Sequence, residues 1–180
     1  IWTETGDVYR PRQIVVATEG PTAASLLEVP MPSSRPQSCS YFAAPGAPTD
    51  SRAILLDGDL DGPARNVAVM TNVAPGYSPD HRSLIATVMP GRYEPDCADL
   101  VLPQMRRWFG DEVDEWEHLR TYTIAHGQPG FEVGTPMRRR IQLGPDLFVC
   151  GDHRDTPSIQ GALVSGRRTA EALLNEVTDA

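Results

Sequence analysis

The stretch from residue 147 to residue 168 constrains this chain more than any other. It runs Leu147-Phe-Val-Cys-Gly-Asp152, then Thr156-Pro157-Ser158-Ile159-Gln160-Gly161-Ala162, then Ser165-Gly166-Arg167-Arg168. A short apolar strand ends in Gly-Asp, and a helix follows. Pro157 suits the first turn of that helix, with Thr156 as the expected N-cap. Ile159, Ala162, Leu163, Gly166, Ala170, Leu173, Leu174 and Val177 form its expected apolar face. Gly161, Ala162 and Gly166 keep the first half slim, so something can approach closely. Three demands of a ligand site meet here. Gly151 permits close backbone approach. Asp152 offers a carboxylate acceptor suited to a polyol hydroxyl. The amides near Ile159 to Ala162 carry the positive end of the helix dipole. The plain structural alternative is a loop with an N-capping acid.

Other motifs fail on particular residues. Gly161 to Arg168 mimics a phosphate-loop spacing, but Arg167 and Arg168 stand where Lys and Ser/Thr are required, and the pattern lies inside the helix. Asp57-Gly-Asp-Leu-Asp-Gly62 mimics the start of a calcium loop, yet Ala68 occupies the place of the bidentate Glu, so an acidic hairpin turn is expected. His81, His118, His126 and His153 show no two-histidine metal spacing, and no metal site is expected. No nucleophile elbow occurs; Ser165 lies mid-helix. All 16 cationic residues are Arg. A Schiff-base lysine and a phosphate-loop lysine are thereby excluded. The net charge of -8 argues against nucleic acid as the main partner. Cys39, Cys97 and Cys150 fit neither a disulfide framework nor zinc, which points to a reducing cytoplasm. No apolar run approaches the ~20 residues of a membrane span, and the polar opening Ile1-Trp-Thr-Glu-Thr-Gly lacks a signal-peptide pattern.

The coarse pattern is α/β (α+β). Residues 13–18 are apolar and partly β-branched, as in a buried strand, and Pro21 opens a short helix to Leu27. Residues 30–37, with Pro30, Pro32 and Pro36, read as a connector. Ser38–Ala44, Ala53–Leu56, Asn66–Asn72 and Leu84–Met89 are expected strands. Asp96–Phe109 is an expected helix, bent or started late by Pro103 and stopped by Gly110. Glu117–Ile124 is a further expected strand. Residues 127–137 are Gly/Pro-rich. Arg138-Arg139-Arg140 is an expected solvated strand edge. Tyr122 and His126, the latter before a flexible turn, are candidates for a substrate cavity. No catalytic residue stands out.

At its C-terminal motif the chain resembles the FAD-dependent amine oxidase and phytoene desaturase superfamily of flavoproteins. The resemblance rests on Val149-Cys-Gly-Asp152, Pro157-Ser-Ile-Gln-Gly-Ala162 and Ser165-Gly-Arg-Arg-Thr-Ala170. Ile14-Val-Val-Ala-Thr18 is similar to the family's strand that closes the first flavin-domain segment. The resemblance implies the C-terminal part of a two-domain FAD-binding fold. Residues 1–28 and 138–180 would belong to the FAD-binding domain, and residues 29–137 to a β-rich substrate domain. It implies FAD held by Gly151, Asp152, Ser158, Ile159, Gln160, Gly161 and Ala162. Asp152 would accept from the ribityl chain, and the helix-start amides would face the flavin's pyrimidine edge. A helix N-terminus aimed there favours the reduced, negatively charged flavin.

Two departures from the family shape the expectation. Its N-terminal Gly-x-Gly-x-x-Gly turn does not occur in these residues. The chain therefore reads as the C-terminal portion of a longer protein or half of a split one, binding FAD poorly alone and inactive by itself. The lysine that many amine-oxidising members place near flavin N5 is also missing, which favours a desaturase-like reaction. The expected function is FAD-dependent hydride removal from a small hydrophobic or amphipathic substrate. A second reading is a non-catalytic binding or assembly module that docks on a partner carrying the dinucleotide-binding half.

Overall fold

The computed structural model describes residues 1–30 and 33–178, with side chains to residue 175. Pro32 of the expected connector and the Val177 side chain lie outside the described residues. The fold is mixed α/β, with two sheets and four helices among the described residues. The chain divides into two units, Ile1–Ser34 with Gln128–Ala180 and Arg35–Gly127. No helix of the described residues is long and apolar enough to cross a membrane.

The first unit is built on a three-stranded sheet. Strand β1 (Ile14–Val16) runs parallel to β8 (Leu147–Val149), with Ile14, Val15 and Val16 beside Leu147, Phe148 and Val149. Strand β7 (Gln142–Gly144) pairs antiparallel on the other side of β8. Phe148 and Val149 are fully buried, as expected of the central strand of a sheet. Helix α1 (Gly20–Leu27) follows β1, with Pro21 in its first turn. The long helix α4 (Ile159–Thr178) follows β8.

The second unit is a five-stranded sheet with one face packed on a helix. Its order is β3 (Leu55–Leu56), β4 (Asn66–Val69), β5 (Ser83–Pro90), β2 (Ser34–Ala44), β6 (Glu117–Pro129). Phe42, Val67, Val69, Ile85 and Met89 form one side of the core. Helix α3 (Ala98–Phe109) supplies Val101 and Met105, a spacing of four that keeps both on one face. It runs through Pro103, which removes only the bond to the Asp99 carbonyl, and ends where Gly110 at φ +84° donates to the Arg106 carbonyl.

Several elements differ from the sequence expectation. The connector region is strand from Ser34 onward. Pro36 is tolerated because the ladder with β5 begins only at Gln37. The expected strand 66–72 stops at Val69 and becomes a helical turn, α2 (Met70–Val73). There the side chains replace the ladder: Thr71 Oγ1 accepts from the Leu84 amide, and Asn72 Nδ2 donates to the Thr49 and Ser51 carbonyls. The strand expected over Ala53–Leu56 shrinks to Leu55–Leu56. Strand β6 runs on to Pro129, so His126-Gly-Gln-Pro129 is strand and not a turn. A Cβ on Gly127 would lie within 3 Å of the Gln37 side chain, so this glycine serves close strand approach.

The acidic segment at 57–62 is a turn in which two of the three carboxylates, Asp57 and Asp61, are already used. Asp57, 8% exposed, accepts from Arg65, from the Leu60 amide and from Gln104 Nε2. Asp61 pairs with Arg107. Gln104 is itself buried and also brackets Ala64, donating to its carbonyl at 2.8 Å and accepting from its amide at 2.9 Å. Gln104→Leu keeps the volume but strands the Ala64 amide and carbonyl and takes one donor from the buried Asp57. It should lower the unfolding free energy by about 3 kcal/mol, read from the urea midpoint at unchanged denaturant slope.

Candidate functional site

At the end of β8 the Cys150 amide donates to the Val16 carbonyl at 3.0 Å, and the chain then turns sharply at Gly151. Gly151 has φ +146°, a conformation that side-chain-bearing residues rarely adopt. A Cβ there would also meet the His153 ring at 2.6 Å. The loop is fixed by one hydroxyl. Ser165 Oγ, fully buried on α4, accepts from the Gly151 amide at 2.9 Å. Its own proton goes to the carbonyl of Gly151 at 2.8 Å or of Ala162 at 3.0 Å. The next residue, Asp152, opens a 3-10 turn over Asp152–Arg154. Its side chain is 35% exposed and lies 3.9 Å from His153 Nδ1. Among the described residues no hydrogen-bond donor reaches that carboxylate within 3.5 Å, so it remains open to a ligand.

The start of α4 differs from the sequence expectation. The N-cap is Ser158 and not Thr156. Ser158 Oγ accepts from the Gly161 amide at 3.1 Å, and the Ser158 carbonyl accepts from the Ala162 amide at 3.0 Å. Thr156 lies outside the helix and spends its hydroxyl on Ser158. Serine two residues later competes better because its oxygen reaches the third helical amide. Gly161 and Ala162 are therefore satisfied internally, and among the described residues the Ile159 and Gln160 amides have no acceptor. Gly161 is required for a reason internal to the fold: a Cβ there would fall 1.9 Å from the Thr156 carbonyl oxygen. Gly166 has open space around it.

The buried stripe of α4 is Gly161, Ser165 and Thr169, four residues apart. Much of the apolar face read from sequence is not buried: Ile159 is 80% exposed, Leu163 and Leu174 are also exposed, and Ala162, Gly166 and Leu173 are half-buried. Small and hydroxyl-bearing residues win the inner position because they allow α4 to approach the Gly151 loop at hydrogen-bond distance. Thr169 returns its hydroxyl to the Ser165 carbonyl at 3.0 Å.

Arginines tie the loop down from the far side. Arg168 pairs with Asp155 and donates to the Arg139 carbonyl at 3.1 Å. The Arg139 amide and side chain donate to the Arg154 and His153 carbonyls. The run 138–140 is thus not a strand edge, because its middle residue is spent on the Asp152–Arg154 turn. Arg167 pairs with Glu171 one turn on. Both arginines of the phosphate-loop lookalike are therefore engaged in ion pairs.

His153 is 3% exposed, and neither ring nitrogen has a hydrogen-bond partner. Burial, reinforced by Arg154 and Arg139, lowers its pKa below the ordinary 6.5, with Asp152 pulling the other way.

In the second unit the sheet face opposite α3 carries a cavity of about 570 Å³. Tyr41 and Cys39 of β2, Leu84 of β5, and Leu119, Arg120, Tyr122 and Ile124 of β6 line it. Alternation on β2 sends Ser38, Ser40 and Phe42 to the core and Cys39 and Tyr41 to this face. On β6 the alternation is broken: His118 and Thr121 face inward, 2.9 Å apart, while Leu119 and Arg120 both face the cavity. Tyr41 and Tyr122 meet edge to face at 6.0 Å, and the Arg120 guanidinium lies 4.9 Å above the Tyr122 ring. Burial pushes the Cys39 thiol up, and hydrogen bonding to Cys39 pushes the Tyr41 phenol up. Neither is an anion at neutral pH. His126 lies beyond Ile124 on the same strand and does not line the cavity; its Nδ1 is buried without a partner.

The family model for flavin containing amine oxidoreductases matches residues 1–174. The chain belongs to this family. No curated protein sequence matches it. Among solved structures, the PF1083 protein of Pyrococcus furiosus is similar with a TM-score of 0.63 at 13% identity, over 94% of this chain and 42% of that one. An oxidoreductase from Methanosarcina mazei is similar with a TM-score of 0.51 at 15% identity, over 83% of this chain and 37% of that one. These likenesses concern the fold. The chain spans about two fifths of the length of the solved structures it matches.

In this family member the residues named from sequence fall into two groups. Gly151, Asp152, Ser158, Ile159, Gln160, Gly161 and Ala162 meet at one loop and helix start in the first unit. Tyr122 belongs to the cavity of the second. Sequence reasoning missed Ser165, His153, Tyr41 and Arg120. A four-residue period of Gly, Ser and Thr on α4 is the signal that marks Ser165; Tyr41 and Arg120 come together only through strand pairing.

Two outcomes follow from this geometry. Ser165→Ala should cost about 1–3 kcal/mol of unfolding free energy in chemical denaturation, since the Gly151 amide loses its acceptor while the Gly151 carbonyl keeps the Arg154 amide. The lowered His153 pKa means the unfolded chain binds the proton more readily. Its contribution is complete above pH 6.5 and is lost as pH falls through the folded value. Denaturant midpoints at about pH 7.5 and about pH 5.5 should differ more in the wild type than in His153→Phe.

Proposed function

We propose that this chain forms the flavin-holding and substrate-facing part of an FAD-dependent oxidoreductase that removes hydride from a small hydrophobic or amphipathic molecule. The observation that carries the reading is the open Asp152 carboxylate on a loop locked by Ser165, beside the amides of Ile159 and Gln160. A carboxylate without a protein donor suits the hydroxyls of the ribityl chain. Gly151, lacking Cβ, lets the cofactor approach the backbone. The two amides and the dipole of α4 suit the electron-rich edge of the flavin ring. Ser158, Gly161 and Ala162 act indirectly, by capping and seating the helix. FAD supplies the hydride acceptor; the protein supplies position and field. The cavity carrying Tyr122 is the substrate site in this reading.

The residues from Arg35 to Ala44 hold no lysine, which favours a desaturase-like reaction needing no protein base. The pyrophosphate half of FAD is assigned to an N-terminal segment or partner chain with a Gly-x-Gly-x-x-Gly turn. Exposed apolar surface in the first unit supports such a partner. Trp2, Val15 and Leu26 border a hollow of about 650 Å³, and Ile159 and Leu163 of α4 are bare. The same surface would serve a non-catalytic module that only docks on that partner. Three unpaired cysteines fit a reducing compartment such as the cytoplasm, and the charge of -8 fits a small-molecule enzyme better than a nucleic-acid binder.

The test is flavin retention by the chain joined to, or mixed with, a segment carrying the dinucleotide turn. The reconstituted protein should keep the visible flavin band through gel filtration, and Asp152→Ala should weaken FAD binding about tenfold. A reconstituted protein that never retains flavin removes the oxidoreductase reading and leaves the docking module.

A further inference from the structure

We propose that the cavity on the five-stranded sheet selects a molecule that joins an apolar body to a carboxylate, and that Arg120 reads the carboxylate. The inference rests on taking this cavity as the substrate site. A volume of about 570 Å³ is that of a small-molecule pocket. Leu119 and Ile124, both half exposed, supply the apolar wall. Tyr41 and Tyr122 add aromatic surface with hydroxyl ends.

The charge in the cavity has one sign. Among the described residues Arg120 is the one charged residue that lines the cavity, and no carboxylate does. None of the ion pairs among the described residues involves Arg120. Its guanidinium instead lies over the Tyr122 ring. The ring contact holds the guanidinium at the cavity wall without using any of its N–H donors in an ion pair. The fork of those donors matches the two oxygens of a carboxylate. Cys39 and Tyr41, both held in their protonated forms, add no competing anion. An ammonium head group would meet a fixed like charge with nothing in the cavity to neutralise it. The selectivity is therefore opposite to that for a cationic amine.

The isotope-labelled chain is titrated with decanoate, decylammonium and decanol, three probes with the same chain length and different head groups. Binding is followed by NMR at the Arg120 side chain and at the Leu119 and Ile124 methyl groups. Decanoate should bind at least about tenfold more tightly than decylammonium, with decanol between them. Arg120→Gln should erase the preference, and Arg120→Lys should restore part of it. Among the described residues the Arg120 side chain makes no hydrogen bond or ion pair, so both variants should stay folded.

Equal affinity for the three probes, a preference for decylammonium, binding of none of them, or a decanoate preference that survives Arg120→Gln would overturn the proposal. The titration needs no flavin. A reconstituted protein that retains flavin but shows no carboxylate preference overturns this proposal alone. Carboxylate preference in a protein that never retains flavin supports the selectivity and faults the flavin assignment instead.

Discussion

A single buried hydroxyl organises the first unit. Ser165 accepts from the Gly151 amide and returns its proton to a nearby carbonyl. The helix, the end of β8 and the turn at Asp152 are thereby fixed to one another. Gly151 needs this support, since its φ of +146° is not held by any regular ladder. The clamp also explains the composition of α4. A bulkier residue at 161 would strike Thr156, and a residue without a hydroxyl at 165 would leave the Gly151 amide without its acceptor. Close approach, and not apolar area, decides which side of this helix faces inward.

That preference marks the limit of what the sequence could tell. Strand β8, the Gly-Asp turn and the long helix are legible because an apolar run, a glycine and a proline each have strong local consequences. The inner face of α4 was not legible, because counting apolar residues favours Ile159, Leu163 and Leu174 over Gly161, Ser165 and Thr169. The N-cap was misplaced by two residues because Thr156 and Ser158 both satisfy the same rule, and only the reach of the hydroxyl decides between them. In the second unit β5 is plain from its apolar run. The extension of β6 through Gly127 is not, since a Gly-Pro segment also describes a turn. Tyr122 was identified by type, whereas its neighbours Tyr41 and Arg120 become visible only through strand pairing.

The two units divide the chemistry. In the first, the polar groups left open are a carboxylate and two helix-start amides, a set suited to a polyol and to an electron-rich ring edge. In the second, the cavity is apolar and aromatic with one cation. Arg168 of α4 and Arg139 hold the loop together.

The central claim is that the Gly151–Asp152 loop and the start of α4 seat a flavin. A crystal structure of the protein reconstituted with its dinucleotide-binding segment and FAD tests it most directly. The account predicts the Asp152 carboxylate at hydrogen-bond distance from a ribityl hydroxyl, with the flavin ring edge facing the Ile159 and Gln160 amides. A flavin bound elsewhere, with Asp152 left facing solvent, would contradict it.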